Sequence, residues 1–100
     1  MCYNLSVTFV RRLNWDASNV SHIARHQVTP EEVEQVCHGQ FVSSETYKGR
    51  IRIIGSTADG RMLTVILAPI SPGWFYPVTA RPASRKERQR YDDLRGGEQP

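Results

Sequence analysis

The sequence predicts a single α+β domain, and three observations predict it. The amino terminus alternates apolar and polar residues as a strand does, two helix starts follow in succession, and a series of short strands broken by glycine-containing turns leads to a last capped helix. One hundred residues suit one core, with a radius of gyration of about 13 Å. The domain is expected to span 1–95, with 96–100 as a flexible tail.

The first strand is placed over Asn4–Val10, where Leu5, Val7 and Phe9 share one side. Asp16 then offers an N-cap for a helix whose apolar stripe is Val20, Ile23 and Ala24, ending near His26 and Gln27. The second helix has a fuller start signal. Thr29 at N-cap, Pro30 at N1 and Glu32 at N3 form a capping box, flanked by Val28 and Val33 as a hydrophobic staple. Val33, Val36 and Cys37 point inward until Gly39 stops the helix.

From Phe41 the pattern becomes an antiparallel meander, with turns at Lys48-Gly49 and Asp59-Gly60. Arg50, Ile51, Arg52 and Ile53 alternate. Met62 to Ala68 is nearly all apolar and reads as a central strand covered on both faces. Pro69, Pro72 and Gly73 break it. Trp74 to Arg81 is the last strand, and Pro77 requires an edge position or a bulge there. Ser84 and Glu87 make another capping box, opening a helix that runs through Tyr91 to about Leu94.

Charge is unevenly distributed. The net value is +3, yet residues 1–40 carry three basic and four acidic groups (−1), whereas 41–95 carry ten basic and five acidic (+5). Eleven of the thirteen cations are arginine, whose guanidinium fork matches phosphate oxygens; this fits a polyanionic partner, although a merely solvated arginine surface is on charge alone the commoner case. The longest apolar stretch, Met62 to Ile70, is far shorter than the roughly 20 residues of a membrane-spanning helix, and the amino terminus lacks a signal-type segment. The expected setting is cytoplasmic, with no membrane partner. Cys2 and Cys37 form neither a CxxC pair nor a disulfide framework.

His22 and His26 lie one helical turn apart, but no glutamate or cysteine pair completes a metal set, so no metal or other cofactor is expected. His26 is the side chain suited to moving protons near neutral pH. The second constellation is basic. Arg50 and Arg52 share a strand face, Arg61 follows the Asp59-Gly60 turn and Arg81 leads into the final helix. Arg85 and Lys86 stand in that helix's first turn, against its dipole, which invites an anion.

The run NWDASNVSHIARHQVTPEEVEQV, then RIRIIGSTADGRMLTVIL and VTARPASRKERQRY, resembles the BrnT family of bacterial type II toxins over about residues 13–91. The matching features are Trp15-Asp16, His26 with Val28 and Glu31-Glu32, Gly55, Gly60-Arg61, and Thr79-Ala80-Arg81 with Ala83, Glu87 and Tyr91. The resemblance implies a RelE-like fold and a metal-independent ribonuclease toxin held by a BrnA-like ribbon-helix-helix antitoxin; the oligomer is one formed through that antitoxin or is left open. In such cleavage His26 would transfer a proton, Arg61 and Arg81 would stabilise the transition state, and Arg50, Arg52 and Arg85 would hold RNA phosphates. Glu32 is first a capping residue and second a candidate base. The chain departs from the family at Asn19, where a lysine is frequent, at His22, where an asparagine is, and at Tyr76, where an arginine is. These departures suggest a divergent branch, so the alternative is a non-catalytic BrnT-like module that binds an antitoxin or nucleic acid.

Overall fold

The structure is a computed structural model describing residues 10–96. Its strands are β1 (Arg12–Leu13), β2 (Phe41–Glu45), β3 (Ile51–Ser56), β4 (Met62–Ser71) and β5 (Trp74–Pro82), and its helices are α1 (Ala17–Ala24), α2 (Pro30–His38) and α3 (Arg85–Gly96). They form one α+β domain with a Cα radius of gyration of 13.0 Å. Among the described residues no helix is long and apolar enough to cross a membrane.

The expected all-antiparallel meander is corrected to a mixed sheet of order β1-β5-β4-β3-β2. From β2 to β5 each strand is antiparallel to the next, as tight turns require. β1, however, runs parallel to β5, pairing Arg12 with Trp74 and Leu13 with Phe75. The cause is the connection: α1 and α2 carry the chain from β1 to the far edge, and the meander returns to bring its last strand beside the first. The strand expected over Asn4–Val10 lies outside the described residues except at Val10, which is buried but outside the strands. Cys2 and most of the expected tail also lie outside them; α3 extends to Gly96.

β4 is the middle strand, as its apolar run indicates. Leu63, Val65 and Leu67 face α1 and α2 and pack with Ile23, Val33, Val36, Ile53 and Ala80 in one core. Each such side chain contributes about 1.5–3 kcal/mol by leaving water. On the other face Ile54 and Thr64, each 1% exposed, are covered by α3, which rests on β2 and β3. Pro77 sits at a bulge: Ile66 pairs with Thr79 and Leu67 with Pro77, leaving Val78 extra.

Both early helix starts are built as expected. Thr29 and Glu32 close a capping box with Pro30 at N1, and Asp16 caps α1. The end of α1 is a Schellman turn, in which Val28 N–H donates to Ile23 O and Gln27 N–H to Ala24 O. Gln27 occupies the left-handed position at φ +62, and the buried pair Ile23 and Val28 seals the turn.

Candidate functional site

Strand register sorts the arginines onto faces. Ser44, Arg52, Ile66 and Thr79 lie in one row across β2, β3, β4 and β5, and Val42, Ile54, Thr64 and Arg81 lie in the next. Because Ile54 and Thr64 are the residues under α3, both rows belong to the α3 face. Arg50 precedes β3 in extended conformation and alternates with Arg52 onto the same face. Arg85 opens α3 and is exposed. Arg52 and Arg81 stand two strands and one row apart, roughly 12 Å between Cα atoms by sheet spacing.

α3 covers the Ile54 row and leaves the Arg52 row open, so Ser44, Arg52, Ile66 and Thr79 are all half-exposed. Arg50, Arg52 and Arg85 form no ion pair with any described residue. The result is a shelf of two unpaired guanidinium groups on an open sheet, with hydroxyl side chains from Ser44 and Thr79 in the same row. Such groups can hold successive phosphates bidentately while the hydroxyls add neutral hydrogen bonds.

Arg81 is differently placed. Its Nη1 and Nη2 donate to the two carboxylate oxygens of Glu87 at 2.7 Å each. Glu87 Oε1 also accepts from Ser84 N–H, and Ser84 Oγ accepts from Glu87 N–H, completing the expected capping box. The Arg81 hydrogen bonds hold the Glu87 pKa down at about 2, with burial opposing and the Ser84 backbone N–H assisting. Arg81 is therefore engaged in fastening α3 to the sheet.

His26 and Arg61 lie on the other side of the sheet. Arg61 alternates with Leu63 and Val65 toward α1 and α2. Its Nη1 donates to Gln27 O at 2.8 Å and to Glu32 Oε1 and Oε2 at 3.1 and 3.0 Å. It thereby joins the end of α1 and the start of α2 to β4. The backbone N–H of Thr29 lowers the Glu32 pKa most, burial opposes this, and Arg61 lowers it further, which makes Glu32 a weak base. His26 is exposed at the same corner, its ring 5.9 Å from that of His22. Arg50, Arg52, Arg81 and Arg85 thus share one face, while His26 and Arg61 share a corner of the opposite one.

Two of the residues at which the sequence departs from the pattern it resembles, Asn19 and Tyr76, have structural roles. Asn19 is 2% exposed; its Oδ1 accepts from Asp16 N–H and its Nδ2 donates to Asn14 O. Tyr76 OH donates to the Asp16 carboxylate at 3.1 and 3.2 Å. Desolvation, and then the Asp16 carboxylate, raise the Tyr76 pKa. Sequence reasoning named Asp16 as a cap but missed its partner; the spacing from Asp16 to Asn19, as in a capping box, was the available signal. It also missed Glu34, which accepts from Trp15 Nε1 at 2.8 Å. Burial pushes the Cys37 thiol up to about 12, leaving it protonated and unreactive. Among the described residues no group of three or more His, Cys, Asp or Glu could hold a metal ion. No protein-family model matches the chain, and no curated protein matches it.

Proposed function

We propose that this chain is a BrnT-like module that binds RNA phosphates through the α3 face, with Arg52 at the centre and Arg50 and Arg85 beside it. One observation carries the reading: Arg52 is half-buried on an open sheet face without a carboxylate partner among the described residues. An unpaired guanidinium held on a rigid strand keeps its hydrogen-bonding capacity for an anion. Backbone phosphates are the repeating anions that a line of such groups fits. In this reading the module binds without cutting, because His26 is on the opposite face from the shelf and Arg81 is occupied by Glu87. A BrnA-like ribbon-helix-helix antitoxin is the protein partner that the family resemblance implies.

A second reading is the metal-independent ribonuclease of a type II toxin pair. The observation that favours it is the α1–α2 corner, where exposed His26 adjoins Gln27, whose carbonyl accepts from Arg61. Cleavage would then occur at that corner, with His26 transferring the proton and Arg61 facing the phosphate.

Incubation of purified protein with single-stranded RNA in EDTA, across a salt series, separates the two. The binding module gives affinity that falls linearly in a log–log plot against salt, with the RNA intact. Fragments ending in 2′,3′-cyclic phosphate that disappear with His26→Ala would establish the ribonuclease instead. Binding indifferent to salt would remove the phosphate-binding reading.

A further inference from the structure

A cleft of about 370 Å³ opens where β1 meets the β4–β5 turn, lined by Arg11, Arg12, Ser71, Pro72, Gly73 and Trp74. Its volume falls in the range of small-molecule sites, about 300–1,000 Å³. It is separate from the α3-face shelf, and none of these residues belongs to the arginine set discussed above.

Both arginines are tethered to the turn. Arg11 and Arg12 donate their backbone N–H groups to Gly73 O at 2.7 and 3.1 Å. The Arg11 stem lies so close to Gly73 that a Cβ there would meet Arg11 Cγ at 2.8 Å and Cδ at 2.9 Å, and φ is +78. Glycine is therefore what allows the turn to seat that stem. The Arg12 guanidinium stacks on the Trp74 ring, 5.0 Å from its centroid. Two long side chains are thus positioned before any ligand arrives, which lowers the entropy lost on binding.

The site is rich in donors and poor in acceptors. Neither guanidinium forms an ion pair with a described residue, and residues 1–9 contain no Asp or Glu. The Trp74 indole N–H is buried, with no acceptor among the described residues, so the donors that face the cleft are the two guanidinium groups, and a guanidinium can only donate. The complement of such a set is an anion with several acceptor oxygens and more than one charge. A phosphate monoester or diphosphate group meets this condition better than a carboxylate, since its terminal oxygens outnumber two and its charge approaches that of two guanidinium groups.

We infer that this cleft is a binding site for the phosphate group of a small ligand, gripped by Arg11 and Arg12. Pyrophosphate is the probe. Trp15→Phe leaves Trp74 as the one tryptophan, since the chain has two, and its emission is followed during titration at constant ionic strength, with acetate in parallel. Calorimetry on the unaltered chain repeats the measurement without the Trp15 change, and circular dichroism checks that each variant is folded. The expected result is saturable pyrophosphate binding at Trp74 that weakens at least tenfold with Arg11→Gln or Arg12→Gln and is unchanged by Arg25→Gln, an exposed arginine outside the cleft and the shelf. Absence of saturable binding, equal saturation by acetate, or full affinity in the Arg11→Gln/Arg12→Gln double variant overturns the assignment. Trp74 lines the cleft, so its emission reads this site and not the α3-face shelf, and the outcome is independent of the RNA-binding proposal.

Discussion

Arg81 and Glu87 meet as a two-pronged ion pair, Nη1 to Oε1 and Nη2 to Oε2, both at 2.7 Å. The pair fixes the first turn of α3 to β5 across the face that Ile54 and Thr64 occupy. From Arg85 to Leu94 the helix buries Glu87, half-buries Tyr91 and leaves every other residue exposed. Its docking therefore relies on polar contacts to an unusual degree. Glu87→Gln should cost about 1–3 kcal/mol, as expected for losing a charge-assisted fork at a mostly buried carboxylate. Thermal unfolding of Glu87→Gln, Arg81→Ala and the double variant measures the coupling. A coupling energy near zero would show that the two side chains contribute separately.

The same contact sets an acid limit. The folded-state pKa of Glu87 is about 2, below the ordinary 4.5, so its contribution is fully present above pH 4.5 and is lost as pH falls toward 2. A shift of this kind is worth about 1.4 kcal/mol per pKa unit, and the 42% exposure of the Arg81 side chain reduces the realised value through solvent screening to about 2 kcal/mol. Glu32, also lowered, adds in the same direction. Urea midpoints measured from pH 6 to pH 2 should fall across this window, and Glu87→Gln should flatten part of the fall.

Arg61 predicts a different pattern. Its guanidinium holds Gln27 O and the Glu32 carboxylate, so Arg61→Ala should loosen the α1–α2 corner by about 1 kcal/mol. For a domain of this size that lowers the melting temperature by roughly 4–8 °C. RNA affinity, measured well below the transition, should be unchanged. A loss of affinity with intact stability would instead give Arg61 the phosphate-contact role implied by the resemblance.

Local chemistry was legible in the sequence wherever a residue's partner lies a few positions away. The Thr29–Glu32 and Ser84–Glu87 capping boxes are set by spacing, and alternation placed Arg50 and Arg52 together. Legibility ended where the answer depends on register. Arg61 and Arg81 look alike as strand-end cations, yet opposite parity against Leu63 and Thr64 sends them to opposite faces. The parallel β1–β5 pairing gave no sequence signal, because two residues are too few to show a period. The end of α1 was also weakly marked, since Gln27 fills the left-handed position where glycine is the usual sign.

Gly55, one of the residues that carry the resemblance, sits where there is no room for a side chain. A Cβ there would stand 3.0 Å from Phe41 Cβ, 3.1 Å from Val36 Cγ1 and 3.2 Å from Gln40 O. Two of the three neighbours are backbone or the base of a side chain, so they yield little. Gly55→Ala should destabilise the fold by about 1–3 kcal/mol through overpacking between α2 and the β2–β3 pair. Equilibrium urea unfolding checks this, and wild-type stability would mean that β2 moves outward at little cost.

The shelf itself is tested by salt dependence, which counts phosphate contacts. Each contact to a single-stranded nucleic acid contributes about 0.7 to the slope of log affinity against log salt. Arg50→Gln, Arg52→Gln and Arg85→Gln should therefore each flatten the slope by about that amount. Arg52→Lys separates charge from geometry. It keeps the cation and hence the slope, but loses the planar fork, so affinity should fall at every salt concentration by a constant factor. His26→Ala, on the opposite face, should leave both quantities unchanged. If all three glutamine variants keep the parent slope while Arg61→Ala or His26→Ala reduces it, RNA binds at the α1–α2 corner, and the ribonuclease reading gains what the binding module loses.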